Sequence, residues 1–230
     1  MNDTLLTLLR SVDTPTVCNA IETAQGRRGF DAFTRGTVQI NDVGAVIVGY
    51  ASTARIRAVT PSDEAPDVVR TRRMAYYRQM AEAPKPSVCV IEDEDGPDAV
   101  GAFWGEVNTT IHAGFSLSGT LTNGVMRDLG DMAPKYGVVA GSIGPSHGFV
   151  HVTALDCEVT VFGLTVRPGD LIHADRHGAV VIPPDVVDDL ETAIARMQDT
   201  EALVLGPARE PGFDFDRFAA AWEAFEKART

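Results

Sequence analysis

Continuous apolar runs and helically spaced ones take turns along this chain, and their order predicts a mixed α/β protein. Thr4 to Arg10 reads as a short apolar helix. Asp13-Thr14-Pro15-Thr16 is a helix start with proline near the first turn, and that helix runs from about Thr16 to Ala24, before Gly26. After a glycine-bearing connection from Gly29 to Asn41, the run Ala45 to Tyr50 (AVIVGY) predicts a buried strand that Ala51 to Ile56 extends. Asp67 to Met80 places Val68, Val69, Met74, Tyr77 and Met80 near helical spacing, and Pro84 and Pro86 end the helix. Ser87 to Ile91 (SVCVI) is a second buried strand, followed by the acidic run Glu92 to Asp95.

The middle of the chain is the richest stretch. Ala99 to Trp104 is an apolar lead into Gly105–Gly130, GEVNTTIHAGFSLSGTLTNGVMRDLG. Glu106 to Ala113 predicts a short helix stopped by Gly114, Phe115 to Thr122 alternates like a strand, and Asn123-Gly124 ends it. Leu129 to Tyr136 reads as a short helix and Gly137 to Ala140 as a strand. Gly141 to Gly148 is glycine-rich but lacks GK[ST] and the spacing of a dinucleotide loop. A β-rich section follows: Phe149–Thr153, Cys157–Phe162, Leu164–Val166, Leu171–Ala174 and Gly178–Ile182. Pro183 to about Leu205 is a long helix with Val186, Val187, Leu190, Ile194 and Met197 on one face. Pro207 and Pro211 break the chain before a last helix, Phe215 to Lys227. The division is a body over 1–205 and a helical tail over 206–230 that packs on the body or on a neighbouring subunit.

Composition narrows the functions. The 230 residues allow a sizeable core. A formal charge of −12 argues against a nucleic-acid binder, which needs a basic face. Three separated cysteines, Cys18, Cys89 and Cys157, make neither a disulfide framework nor a zinc signature. The start lacks a signal-peptide pattern and no run has membrane-spanning length, so a soluble cytoplasmic protein is expected, with no membrane partner.

The candidate chemistry lies in the central stretch. Glu106 and the adjacent pair Arg127-Asp128 are separated by 20 residues. Two carboxylates and a guanidinium brought together would hold a divalent cation and an anionic substrate, and the helix N-terminus near Val107 and Asn108 offers N–H groups to a carboxylate. The residues alone leave a second reading open, in which Arg127-Asp128 is a surface ion pair and Glu106 an acid favoured by the helix dipole. The acidic run 92–95 reads as a solvated turn in preference to a metal cluster, with one member still able to line a pocket at the strand end. His147 and His151 flank a glycine at a strand entrance, and His173 and His177 suit structural hydrogen bonds better than a metal.

Four segments in order, TPTVCNAIE, VGYAST, the acid–twenty–Arg-Asp stretch and VRPGDLIHADRHGAVVIP, resemble the RraA-like family over about Thr14 to Pro183. That family includes class II 4-hydroxy-4-methyl-2-oxoglutarate/4-carboxy-4-hydroxy-2-oxoadipate aldolases, which also decarboxylate oxaloacetate. It also includes regulators of ribonuclease E activity and members labelled demethylmenaquinone methyltransferases. The resemblance implies a swivelling β/β/α sandwich, here with a helical C-terminal extension, and a homotrimeric ring or hexamer with sites between subunits. It implies Mg²⁺ or Mn²⁺ held largely through water. Asp128 matches the direct ligand, Glu106 the outer acid, Arg127 the residue that binds the pyruvoyl group, and the Val107 and Asn108 amides those that hold its carboxylate. Glu201 is the candidate for a glutamate that the aldolases supply from a neighbouring subunit, with Glu191 and Asp199 close by. The chain departs from many relatives at Asn123, where they carry an acid, and at Asn108 and Thr109, where aldolases often have apolar residues.

The expected function is therefore a metal-dependent lyase acting on a pyruvate-yielding 2-keto acid through an enolate stabilised by the cation. The only lysines are Lys85, Lys135 and Lys227, and none sits in an obvious apolar strand suited to a Schiff base. A non-catalytic regulator that binds a ribonuclease through an acidic surface is the alternative. A methyltransferase is disfavoured because no glycine-rich strand-to-helix loop for S-adenosylmethionine is evident.

Overall fold

In the computed structural model, which describes residues 1–229, the apolar run after Ala45 becomes the centre of a mixed sheet. In chain order the strands are β1 (Gln39–Ile40), β2 (Ile47–Arg57), β3 (Ser87–Asp93), β4 (Ala102–Trp104), β5 (Gly119–Thr122), β6 (Val125–Met126), β7 (Gly137–Ala140), β8 (Ser142–Ile143), β9 (His151–Leu155), β10 (Val159–Val161), β11 (Leu164–Val166), β12 (Leu171–Asp175) and β13 (Gly178–Ile182). The helices are α1 (Asp3–Ser11), α2 (Thr14–Gln25), α3 (Pro66–Glu82), α4 (Glu106–Gly114), α5 (Leu190–Ala208) and α6 (Phe215–Arg229). The main sheet has the order β1-β7-β5-β3-β2-β12-β13, with β9 also paired to β2. Strands β2, β3, β5 and β7 run parallel and the others antiparallel. A second, all-parallel sheet has the order β4-β6-β8, and β10–β11 is a hairpin. This is the expected α/β sandwich with helices at its C-terminal end.

The period of two along each strand divides the core between the sheet faces. Ile47, Val88, Val90, Leu121, Val139, Ile172 and Ala174 point to one face, where the hairpin residues Val159, Val161, Leu164 and Val166 cover them. The alternate residues face the other way. Val48, Leu171, Val180 and Ile182 pack under α1, α2 and α5, whereas Cys89, Ile91, Val138 and Ala140 pack against α3 and the second sheet.

A buried polar chain ties α3 to α4. His112 is fully buried, and its Nδ1–H donates to the Asn108 carbonyl at 2.6 Å. Its Nε2 accepts from the Tyr76 hydroxyl at 2.5 Å, and that hydroxyl also meets the Cys89 Sγ at 3.4 Å. Burial pushes the His112 imidazole down to about 4, so at neutral pH it is uncharged, as this pairing requires. Tyr76→Phe would strand the buried Nε2 without a donor. It is expected to cost about 1–3 kcal/mol, read as a fall in the denaturant midpoint; an unchanged midpoint would show that the chain does not hold α4.

Several expected elements differ. Leu129 to Tyr136 is a series of turns. The Asp128 carbonyl accepts from Asp131 and Met132, but Pro134 disfavours helical geometry at Ala133, and Lys135 takes a φ of 65°. The strand expected over Phe115–Thr122 begins only at Gly119, because residues 115–117 close the end of α4, with Leu117 N–H on the His112 carbonyl and Ser116 at a φ of 61°. Residues 184–186 form a 3₁₀ turn ahead of α5, which then runs through Pro207 to Ala208. On α3 the buried residues are Tyr76 and Met80, whereas Val68 and Met74 are exposed. The face expected to be apolar is rotated away from the core. Helix α6 packs on α5; Thr230, the last residue of the expected tail, lies outside the described residues.

Candidate active site

The second sheet assembles the site. Its strands are parallel, so their C-terminal ends lie side by side, where ligands gather in open α/β sheets. From β4 the chain enters α4 at Glu106, from β6 it enters Arg127-Asp128, and from β8 it enters the 144–149 loop. Strand β6, and not the strand ending at Thr122, therefore delivers Arg127 and Asp128. The Arg127 N–H donates to the Trp104 carbonyl at 2.7 Å and fastens the two strand ends together.

Asp128 has a φ of 54°, an uncommon conformation for a residue with a side chain. Its Oδ2 accepts from the Glu106 N–H at 3.3 Å and lies 3.5 Å from the Arg127 Nε. Gly105, the N-cap of α4, allows this closeness, since a Cβ there would sit 2.5 Å from Asp128 Oδ2 and 3.1 Å from Arg127 Cγ. Glu106 is exposed at the first position of α4, and Val107 is exposed beside it. The first-turn N–H groups of Val107 and Asn108 have no intrahelical acceptor. The Asn108 side chain is spoken for: Nδ2 donates to the Phe103 carbonyl, and Oδ1 accepts from the Tyr77 hydroxyl at 2.7 Å.

Arg127 and Asn108 line a cavity of about 490 Å³. One wall is α3, which contributes Val69, Arg73 and Tyr77 at successive helical turns. The other is the glycine-rich loop, which contributes His147 through His151. That loop lies tight on Ala58: Phe149 N–H donates to the Ala58 carbonyl at 2.8 Å, and a Cβ on Gly148 would sit 2.7 Å from the same carbonyl oxygen. The sequence reading missed Arg73. Its signal is the i, i+4, i+8 stripe of residues 69, 73 and 77, visible once α3 is known to turn only Tyr76 and Met80 inward.

The acidic run is divided. Glu92 and Glu94 pair with Arg55, and Glu94 also with Arg57. Asp95 accepts from the Ala58 and Val59 N–H groups. Asp93, in contrast, is 1% exposed, and its Oδ2 has no hydrogen-bond partner among the described residues. Asn123 clamps the same strand end, accepting from Asp93 N–H at 2.7 Å and donating to its carbonyl at 2.9 Å. An acid at 123 would lose that donation.

Burial raises the Asp93 carboxyl to about 6. The folded state therefore binds more protons than the unfolded chain between about pH 4 and 6, and this group's contribution to stability falls as pH rises through that window. Asp93→Asn is expected to stabilise the fold by about 1–3 kcal/mol at pH 7.5 and by little at pH 4. Paired melting curves at the two pH values check this, and an equal gain at both would contradict it.

The remaining candidates lie elsewhere. Glu201 lines a separate cavity of about 630 Å³ between α2, α5 and α6, beside Arg27, Arg28 and Arg196. Within one chain it does not meet Arg127 and Asp128. His173 bonds to Thr14 Oγ1 and the Leu9 carbonyl, and Asp175 accepts from the Thr14 and His177 N–H groups. The HADRH segment thus anchors the start of α2 on the sheet. Cys89 is buried, with its thiol pushed up to about 12.

The donors at the site suit a hard, hydrated cation. Among the described residues there is no group of three or more His, Cys, Asp or Glu able to enclose a metal. Mg²⁺ and Mn²⁺ accept oxygen ligands, and Mg²⁺ keeps several waters, so one or two carboxylates suffice. Asp128 Oδ1 carries no hydrogen bond among the described residues and is a free oxygen donor, and the Glu106 carboxylate belongs to the same residue whose N–H Oδ2 binds. No helix among the described residues is long and apolar enough to cross a membrane.

A family model described as RraA-like, Aldolase/RraA, matches residues 14–181. Protein DlpA of Legionella pneumophila is 27% identical over 154 residues, or 64% of this chain, which spans only 25% of that relative's length. Among solved structures, an uncharacterized protein of Pseudomonas syringae pv. tomato covers 100% of this chain and 94% of its own, with a TM-score of 0.71 at 20% identity. RraAS2 of Streptomyces coelicolor, an unusual member of the RNase ES inhibitor RraA protein family, covers 87% of this chain and 96% of its own, with a TM-score of 0.65 at 21% identity. Identities this low establish the fold alone. The sheet order, the strand ends that gather Glu106, Arg127 and Asp128, and a family match across residues 14–181 lead to one conclusion: the chain belongs to the RraA-like family.

Proposed function

We propose that the chain is a divalent-metal-dependent carbon–carbon lyase that releases pyruvate from a 2-keto acid. The reaction is retro-aldol cleavage of a substrate of the 4-hydroxy-4-methyl-2-oxoglutarate type, decarboxylation of oxaloacetate, or both. The observation that carries this reading is the meeting of Arg127, Asp128 and the first turn of α4 at one sheet edge, beside a cavity. Asp128 would hold Mg²⁺ or Mn²⁺, with Glu106 as the outer acid; the cation supplies Lewis-acid stabilisation of enolate charge. Arg127 forks to the pyruvoyl carboxylate and keto oxygen, a geometry that lysine does not reproduce. The Val107 and Asn108 N–H groups, at the positive end of the α4 dipole, hold the same carboxylate. Tyr77 fixes Asn108 and hence the first turn. In a homotrimer or hexamer, Glu201 of a neighbouring chain completes the site by helping to activate water.

The test is pyruvate release from oxaloacetate and from a hydroxylated 2-keto diacid, measured with added Mg²⁺ or Mn²⁺ and again after chelation. Metal-dependent release is expected. Release that is unaffected by chelation, or none at all, would remove the lyase reading. The second reading, a regulator that binds a ribonuclease or another protein through an acidic surface, is favoured by the net charge of −12 and by the description of the Streptomyces relative. It predicts partner capture without turnover.

A further inference from the structure

We infer that His147 is the general base of the carbon–carbon cleavage, taking the proton of the substrate hydroxyl when a 4-hydroxy-2-keto acid is split. This rests on the proposed lyase reading and assigns a step that Arg127 and Asp128 do not perform. Retro-aldol cleavage requires loss of the C4 hydroxyl proton, so a proton acceptor must face the ligand. The cavity that Arg127 and Asn108 line has no Asp or Glu in its wall. Its titratable side chains are Arg73, Tyr77, Arg127, His147 and His151. A guanidinium has no lone pair to offer. Tyr77 donates its hydroxyl proton to Asn108 Oδ1 at 2.7 Å, and burial raises that phenol further from ionisation. The two imidazoles remain.

The hydrogen bond that His147 makes leaves it a base. Its Nδ1 lies 2.8 Å from the Gly148 carbonyl oxygen, which can only accept, so Nδ1 carries the proton. In the neutral ring Nε2 is then a bare lone pair. The loop fixes the His147 backbone beside the strand that delivers Arg127. Gly144 N–H donates to the carbonyl of Met126, the residue before Arg127, at 3.0 Å, and Ser146 accepts from Ala102 N–H at 2.8 Å. On the other side of His147, Phe149 is tied to Ala58. The His147 side chain itself is exposed, open to a ligand. His151 has the same ring pattern, with Nδ1 on the Phe149 carbonyl, but it is 8% exposed and opens β9, opposite Arg57 in the main sheet. His147 instead follows β8, the neighbour of β6.

With the pyruvoyl end of the ligand at Arg127, the step balances without a further reactant. The C4 hydroxyl gives its proton to His147 Nε2, and the O–H electron pair becomes the new C4=O bond. The C3–C4 bond breaks, and its pair enters the C2–C3 enolate, whose charge rests on the C2 oxygen. The imidazolium then returns the proton to C3, which yields pyruvate and restores the neutral ring. Decarboxylation of oxaloacetate reaches the same enolate by loss of CO₂ from a carboxylate that is already ionised. It has no hydroxyl proton to remove and does not need this base.

The experiment compares the two reactions in the full chain supplied with Mg²⁺. His147→Gln is expected to lower kcat/KM for 4-hydroxy-4-methyl-2-oxoglutarate cleavage by about 100-fold or more and to leave oxaloacetate decarboxylation within about threefold. His151→Gln should leave both reactions within about threefold, and added imidazole should restore part of the cleavage in His147→Ala. A binding readout accompanies the rates: the His147 ring-proton resonance, assigned by its loss in His147→Gln, should shift when unreactive 2-oxoglutarate is added. Equal losses in both reactions, no loss in either, the split appearing in His151→Gln instead, or a resonance that does not move would overturn the assignment. Decarboxylation without cleavage by the unaltered chain overturns the base and leaves the lyase reading standing; turnover of neither substrate removes both.

Discussion

Arg127→Ala is expected to lower kcat/KM for metal-dependent pyruvate release by about 10²–10³-fold, the cost of removing one preorganised donor aimed at developing negative charge. Two features make the effect large. The Arg127 backbone is fixed by its bond to Trp104, and its Nε lies 3.5 Å from Asp128 Oδ2, so the side chain starts from a fixed point beside the carboxylate. The cavity also supplies no other arginine at the same sheet edge, since Arg73 lies across on α3. The loss should leave stability nearly untouched, because the Arg127 side chain is 34% exposed and its one ion pair is with its own neighbour. Arg127→Lys should recover only part of the activity, since an ammonium cannot match a two-pronged contact. Steady-state kinetics beside a melting curve provides the check, and an alanine variant retaining a tenth of the rate would exclude Arg127 from the chemistry.

Gly105→Ala is expected to cause a loss of similar size by a different route. At a φ of −151° the glycine backbone is ordinary, so the penalty is one of space. The new methyl would lie 2.5 Å from Asp128 Oδ2, and the movable partner is the end of a side chain, so the carboxylate swings away and the fold survives. Losing glycine at the N-cap adds a cost of about 1 kcal/mol. Activity should fall by about 100-fold, as expected when a catalytic group shifts by around an ångström, and excess Mg²⁺ should recover part of it if Asp128 holds the cation. A variant with full activity at ordinary metal concentration would mean that the position of Asp128 does not matter.

Glu106, Arg127 and Asp128 could be singled out from the sequence because they sit at element ends marked by local signals: glycine before the acid, and Asn123-Gly124 ahead of the pair. The route between them was misread. The period-two pattern of Phe115–Thr122 is locally convincing, yet closure of α4 takes its first half, and two residues, Val125 and Met126, make a strand in another sheet. So short a strand carries no periodicity. Arg73 was missed for a related reason. Helix α3 is mostly polar and buries only Tyr76 and Met80, so its apolar spacing does not determine which side faces inward. The interrupted stretch after Asp128 was legible in principle, since Pro134 disfavours helical geometry at the residue before it.

By itself the sequence determined the buried strands, the capped helices and the identity of the chemically able side chains. Those depend on contacts within a few residues, where residue type, spacing and caps decide the outcome. Only the tertiary structure decided that three strand ends meet at one edge, that Arg73 and Arg127 line one cavity, and that Asp93 is buried while its acidic neighbours find arginines or backbone N–H groups. These are consequences of sheet order and helix rotation, which follow from how whole faces pack and leave no mark in local periodicity.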